Sequence, residues 1–218
     1  MKLTFLGHAC FLVTASDGTK IILDPYESGG FGGAIGYGPV GEAADIVVVS
    51  HEHADHDHVK GVEGSPQVIR GAGAKAAKGI EFKGVATYHD ASGGAERGRN
   101  TIWCFAVDGV RLCHLGDLGH PLDQKQIQEI GQVDVLMLPV GGYFTIDAST
   151  AGSVAASLNP KVIVPMHYKT PKVNFPIAPV DNFLAGKERV RRVASAEVEF
   201  SADTLPKQTE IVVLEHAR

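Results

Sequence analysis

A chain of 218 residues is long enough to bury one sizeable core and short enough to do so as a single domain, 1–218. With 20 Lys and Arg against 25 Asp and Glu its formal charge is −5, so no large basic surface is expected and nucleic acid is disfavoured as the main partner. Cys10, Cys104 and Cys113 are an odd number, set in apolar stretches with no C-x-x-C pair; they point to reduced core residues of a cytoplasmic protein, not to a disulfide framework or a zinc–thiolate site.

The apolar start, residues 1–13, is interrupted by His8 and followed by Asp17 and Asp24 before any convincing cleavage site, so it reads as core strands and not as a signal peptide. No run approaches the length of a membrane span. Residues 2–6, 10–15 and 19–24 predict three strands with a turn at Ser16-Asp17-Gly18, the third stopped by Pro25. The glycine-rich stretch 26–41 lacks a correctly spaced G-x-G-x-x-G and joins two strands. A loop of that length is either a substrate lid or a plain flexible connector.

Ile46 to Ser50 is a continuous apolar run of the kind found in buried strands, and it ends on His51-Glu52-His53-Ala54-Asp55-His56-Asp57-His58. Alternate side chains of an extended segment share a face, so His51 and His53 can point at one metal ion. A turn at the adjacent Asp55 and His56 can aim both at a second position, and two ions roughly 3.5–4 Å apart are the usual geometry for hydrolysis. Imidazole and carboxylate donors suit zinc, manganese, iron or nickel better than calcium or magnesium.

Further on, 67–70 predicts a strand, the alanine-rich 71–79 a short helix, and 85–88 a strand that delivers His89. Residues 101–107 and 110–115 predict a hairpin about Asp108-Gly109, running out to His114 and Asp117. A helix over 121–131 follows, then a strand from 133 to 138 closed by Pro139. The next helix has Asp147 or Ser149 near its start and Asn159-Pro160 at its end, and strand 162–164 delivers His167. The remainder, 178–218, reads as one helix and two strands, with no linker that would separate domains.

One arrangement recurs: an apolar strand ends, and His51, His89, Asp117 or His167 follows on the next loop. Donors collected from several strand ends at one sheet edge make a preorganised site. The pattern H-x-H-x-D-H at His51, His53, Asp55 and His56 resembles the signature of the metallo-β-lactamase superfamily. Thr87-Tyr88-His89-Asp90, His114-Leu115-Gly116-Asp117 and Pro165-Met166-His167-Tyr168 match its later motifs in chain order. The resemblance spans roughly residues 2–170. It implies an α/β fold, a four-layer αββα sandwich of two mixed β-sheets flanked by helices. It also implies two divalent metal ions, zinc by default, with manganese, iron or nickel accepted by the same donors. By that resemblance His51, His53 and His89 bind the first ion, Asp55, His56 and His167 the second, and Asp117 bridges both.

Leu6-Gly7-His8-Ala9-Cys10-Phe11, Leu23-Asp24-Pro25, Leu138-Pro139-Val140-Gly141-Gly142 and Met166-His167-Tyr168-Lys169-Thr170 resemble the small single-domain hydrolases of that superfamily, among them the ascorbate-6-phosphate lactonase relatives. The chain lacks a long basic arm like that of the tRNA 3′-processing nucleases, and appended flavin or rhodanese domains. The implied activity is hydrolysis of an ester, lactone, amide or phosphoester of a small molecule by a metal-bound hydroxide. Asp55 is the catalytic candidate, orienting the nucleophile and carrying a proton to the leaving group. Competing readings are a metal-dependent phosphodiesterase or nuclease, and a non-catalytic metal- or ligand-binding module.

His8 is either a substrate contact or donor beside the metals, or a buried histidine hydrogen-bonded in the core. Asp24, His114 and Asp90 read as groups that orient ligands or loops. Asp57 and His58 read as solvated, and His120 as a cap for the helix near Pro121. Tyr143 and Thr145 are either substrate contacts or ordinary polar loop residues. Nothing in the chain specifies an oligomeric state.

Overall fold

The computed structural model describes residues 1–218. Its strands are β1 (Lys2–Gly7), β2 (Cys10–Thr14), β3 (Lys20–Leu23), β4 (Ile46–Val48), β5 (Gln67–Ile69), β6 (Gly73–Ala77), β7 (Ile80–Tyr88), β8 (Arg99–Val107), β9 (Val110–His114), β10 (Val135–Pro139), β11 (Val162–Met166), β12 (Val190–Val193), β13 (Glu197–Glu199) and β14 (Glu210–Leu214). They form two mixed sheets, one in the order β13-β1-β2-β3-β4-β5 and the other β12-β14-β11-β10-β9-β8-β7-β6. In the first, β13, β1, β2 and β3 pair antiparallel and β3, β4 and β5 parallel. In the second, β6 to β9 are antiparallel, and β9, β10, β11, β14 and β12 are parallel.

Side-chain alternation along the first sheet separates two cores. Leu3, Phe5, Phe11, Val13, Ile21, Leu23, Ile46 and Val48 enter the main core shared with the second sheet. Leu6, Cys10, Leu12, Ile22, Val47 and Val49 face the other way into a smaller cluster. Helices Gln124–Ile130, Ala148–Leu158 and Val180–Leu184 add Ile130, Val154, Leu158 and Phe183 to the main core. Asp123 closes a capping box on the first of these, and Asp147 caps the second, which ends on left-handed Asn159.

The outer layer over the first sheet comes largely from the glycine-rich stretch 26–41. Tyr26, Ile35, Tyr37 and Val40 are buried in the smaller cluster, so this segment is a packed cover and not a plain flexible connector. Only its tip, a turn at Gly30–Gly33 with left-handed Phe31 and Gly32, carries an exposed aromatic, Phe31.

Two expectations fail. Residues 71–79 form no helix: β6 pairs antiparallel with β7 across a two-residue turn at Lys78-Gly79, both left-handed. A complete ladder to β7 outweighs the helix preference of the alanines. The segment 178–218 holds three strands, not two. β12 and β13 are polar sheet-edge strands without an apolar run to announce them. The hairpin at Asp108-Gly109 forms as expected.

The strands that precede the His and Asp motifs end at a common edge. Thr101 N–H donates to the Ser50 carbonyl at 2.9 Å, and Trp103 Nε1–H donates to the Val49 carbonyl at 2.9 Å, joining β8 of the second sheet to the end of β4 in the first. The loops there run so close that a Cβ on Gly119 would lie 2.3 Å from the backbone N of Asp90 and the carbonyl carbon of His89. Gly119→Ala is therefore expected to destabilise the fold by about 1–3 kcal/mol. Gly152→Ala, inside a helix with nothing nearer than 3.7 Å, is expected to be neutral or to stabilise by up to ~1 kcal/mol. Urea unfolding of the two variants beside wild type measures the contrast.

Candidate metal centre

At this edge two sets of donors converge. His51, His53 and His89 form one, and Asp55, His56 and His167 with His8 form the other; within each set the donor atoms lie within 4.8 Å of one another. Asp117 stands between the sets. Its Oδ2 is 3.2 Å from His89 Nε2, 3.3 Å from His167 Nε2 and 4.0 Å from His51 Nε2, and its Oδ1 is 3.2 Å from His56 Nε2. Donors bound to one tetrahedral ion at about 2.0–2.1 Å are separated by roughly 3.3 Å, the spacing seen around this carboxylate.

The hydrogen bonds leave acceptors over. Asp24 Oδ1 accepts from the Ser50 backbone N–H at 2.7 Å, and its Oδ2 accepts from Ser50 Oγ at 2.6 Å and His56 Nδ1 at 2.8 Å. Because Ser50 spends its hydroxyl proton on Asp24, His51 Nδ1–H must donate to Ser50 Oγ, 2.9 Å away. In their neutral forms both imidazoles therefore carry their lone pair on Nε2. Those two Nε2 atoms, and Asp117 Oδ1, are buried with no hydrogen-bond partner. Orphaned acceptors aimed into one space fit a cation, and the N and O donor set fits a transition ion.

The electrostatics agree. Burial, aided by His56, pushes His51 down to about 3, and burial followed by His89 lowers His53, so neither competes for a proton. His56 goes the other way: burial opposes its charge, but Asp117 and Asp55 lift its pKa well above the usual imidazole value. Asp117 falls well below the carboxylate range, because His167 and His56 outweigh the burial that would raise it. The cluster holds negative charge and draws a positive one.

Backbone strain marks the same place. His8, Asp24 and His167 have φ of 57°, 44° and 51°, left-handed conformations that cost a non-glycine residue roughly 1–3 kcal/mol each. The His167 N–H donates to the His8 carbonyl at 2.8 Å, fixing the two strained residues to each other.

The expected donors thus come together, and the surrounding residues divide. His8 is buried and its Nε2–H donates to Asp55 at 3.1 Å, so it belongs to the centre and not to the core alone; burial and then His167 bring its pKa to about 4. His114 donates Nε2–H to the Ala9 carbonyl and accepts the Gly116 N–H at Nδ1, which holds the turn before Asp117. Asp90 accepts four backbone N–H groups from 92–97, so it orders a loop. Thr145 is buried, while Tyr143 is exposed, with φ 63° and its ring against Phe144.

Asp57 is not simply solvated, because it pairs with Arg70. His120 does not cap the helix, which Asp123 caps; its Nε2 accepts the Tyr88 N–H at 3.2 Å. The residues that sequence reasoning passed over are Ser50, which joins Asp24 to His51, and Asn100, whose Oδ1 accepts the Asp117 N–H at 3.0 Å. A lone Ser and a lone Asn in strand-like surroundings carry no signal of this role.

Because one Asp24 oxygen orients His56 directly and His51 through Ser50, Asp24→Asn is expected to weaken metal affinity about 10–100-fold while the protein still folds. Competition with a chromophoric chelator reads the change, and unaltered affinity would remove Asp24 from this role.

Residues 2–167 match the model of the beta-lactamase superfamily domain. The UPF0173 metal-dependent hydrolase of Carboxydothermus hydrogenoformans is 33% identical over 197 residues, with 78% of this chain and 85% of the relative covered. That of Thermococcus kodakarensis is 31% identical over 200 residues with the same shares. Among solved structures, a Thermotoga maritima protein assigned to the Zn-dependent hydrolases of the metallo-β-lactamase superfamily is similar with a TM-score of 0.80 and 39% identity, 98% of each chain being covered. The metallo hydrolase Igni18 of Ignicoccus hospitalis has a TM-score of 0.62 at 25% identity, covering 92% of this chain and 99% of its own. With its two mixed sheets and its clustered His and Asp donors, the chain belongs to the metallo-β-lactamase superfamily, among the UPF0173 metal-dependent hydrolases.

Proposed function

We propose that this metal-dependent hydrolase works with two divalent ions, zinc by preference, and cleaves an ester, lactone or phosphoester of a small molecule. The observation that carries the reading is one buried carboxylate, Asp117, standing within 3.3 Å of imidazoles from both donor sets. His51, His53 and His89 would hold the first ion, Asp55, His56 and His167 the second, and Asp117 both. Two such ions supply a water acidified towards neutral pH and a Lewis-acid pull on the scissile oxygen.

The remaining work falls to the chain. Asp55 would sit beside the metal-bound nucleophile, with its Oδ2 engaged by the hydrogen bond from His8 Nε2. There it can take a proton from the water and hold it for the leaving group. Asp24 keeps His56 and His51 in their Nε2 lone-pair tautomers throughout the cycle.

A cleft of about 780 Å³ beside His51 and His53 suits a metabolite-sized substrate. Three free cysteines fit work in the reducing cytoplasm, and no helix is long and apolar enough to cross a membrane. Residues 1–218 act as one unit in this reading, since β1 and β13, from opposite ends of the chain, pair in one sheet.

Metal analysis of protein purified without a tag should give two ions per chain. Chelation should abolish turnover, and added zinc should restore it. Asp117→Ala is expected to retain at most one ion and to lose at least about 100-fold in rate. Two tightly held ions with full turnover in that variant would sink the bridging role.

A further inference from the structure

The cleft beside the metal centre has a sign of its own. Arg70, Arg97 and Arg99 line it together with His51 and His53, and Glu52 is the one carboxylate among the lining residues. In a chain of formal charge −5 this is a local reversal, and a cleft of one sign concentrates ligands of the other. Arg70 is neutralised by Asp57. Arg97 has only a long contact with Glu96, at 3.6 Å, and Arg99 forms no ion pair.

Arg97 is also held in place. The loop that carries it begins at His89, a donor of the centre. The buried Asp90 carboxylate accepts the backbone N–H of Ser92 (2.8 Å), Gly94 (2.8 Å), Glu96 (3.0 Å) and Arg97 (2.8 Å). The Arg97 guanidinium lies 5.8 Å from the centroid of the Phe144 ring, a cation–π contact that steadies its planar fork. A guanidinium with a fixed backbone, a backed face and little carboxylate to satisfy it is prepared for a planar or tetrahedral anion.

We infer that Arg97 and Arg99 form an anion subsite, in which a carboxylate or phosphate of the substrate sits while its scissile bond reaches the metal centre. The inference rests on the hydrolytic reading above and adds the substrate class, a small anionic ester or lactone. Its size and its opening onto His51 and His53 favour a small metabolite over a polymer.

The test compares wild type with the R97Q/R99Q double variant, both metal-loaded and matched for metal content. Two probes share a leaving group and differ by one carboxylate: 4-nitrophenyl valerate and mono(4-nitrophenyl) adipate. Wild type should favour the adipate in kcat/KM, and that preference should fall at least about tenfold in the variant, the scale of a lost charged hydrogen bond. A merely structural defect slows both esters alike and leaves the ratio unchanged, which would overturn the subsite, as would equal rates in wild type.

If wild type cleaves neither ester, the hydrolytic reading fails for this bond class, and calorimetric binding of succinate and of inorganic phosphate decides the subsite alone. Binding at least about tenfold weaker in the variant supports it, and equal binding overturns it. The more strongly affected anion identifies the charge the arginines take. A short RNA that displaces succinate and loses its own affinity in the variant would reassign the cleft to nucleic acid and overturn the small-anion reading.

Discussion

Three carboxylates, Asp24, Asp55 and Asp117, are buried at one sheet edge with no lysine or arginine paired to any of them. Charges removed from water must be compensated nearby, and here the neighbours are imidazoles. His51 and His53 stay neutral and His56 is driven to take a proton, so the cluster itself supplies only part of the compensation. A divalent cation would do it better, because His51 Nε2, His56 Nε2 and Asp117 Oδ1, which have no hydrogen-bond partner, would then have one. Metal binding and the stability of this edge are in that sense one free energy, as in other sites whose donors are costly to leave empty.

The rest of the architecture serves that edge. Main-core burial across two sheets makes it affordable to hold His8, Asp24 and His167 in left-handed conformations. Close approach of loops does the rest. A Cβ on Gly141 would meet the His167 carbonyl oxygen at 2.2 Å, and one on Gly116 would meet Asn100 Oδ1 at 2.3 Å. The donors lie within coordination range because the backbones between them have been brought closer than side chains would allow.

The cluster of candidate donors was legible in the sequence because the strands that lead to His51, His89, Asp117 and His167 have legible apolar runs, and because dense histidine and aspartate have few structural uses. The fold class followed from the same motifs. What failed was decided by tertiary context. The alanines and glycines of 71–79 look helical until β7 is there to pair with them. The glycine-rich stretch 26–41 hides its role because Tyr26, Ile35, Tyr37 and Val40 are too widely spaced to form a periodic pattern, though together they cover one face of a sheet. The arginines of the cleft escaped for another reason. Arg70 lies beyond β5, Arg97 in a loop and Arg99 at the start of β8, so no local sequence feature groups them.

Asp90 holds a candidate metal donor and a cleft arginine on one loop without tying their side chains together. His89 and Arg97 lie eight positions apart, and the segment between them is held mainly by four N–H groups converging on a single carboxylate. Backbone groups hold a loop's path without prescribing its side chains, as the residues of an Asx-type turn do. The side chains of 91–96 are therefore under little obligation to the metal donors. His89 is fixed from the strand side, where its N–H donates to the Gly98 carbonyl at 3.0 Å, and Arg97 from the Asp90 side. A loop built this way could alter the side chains it presents to the cleft while His89 stays in the His and Asp cluster, so a candidate metal donor and a cleft arginine can share so short a stretch of chain.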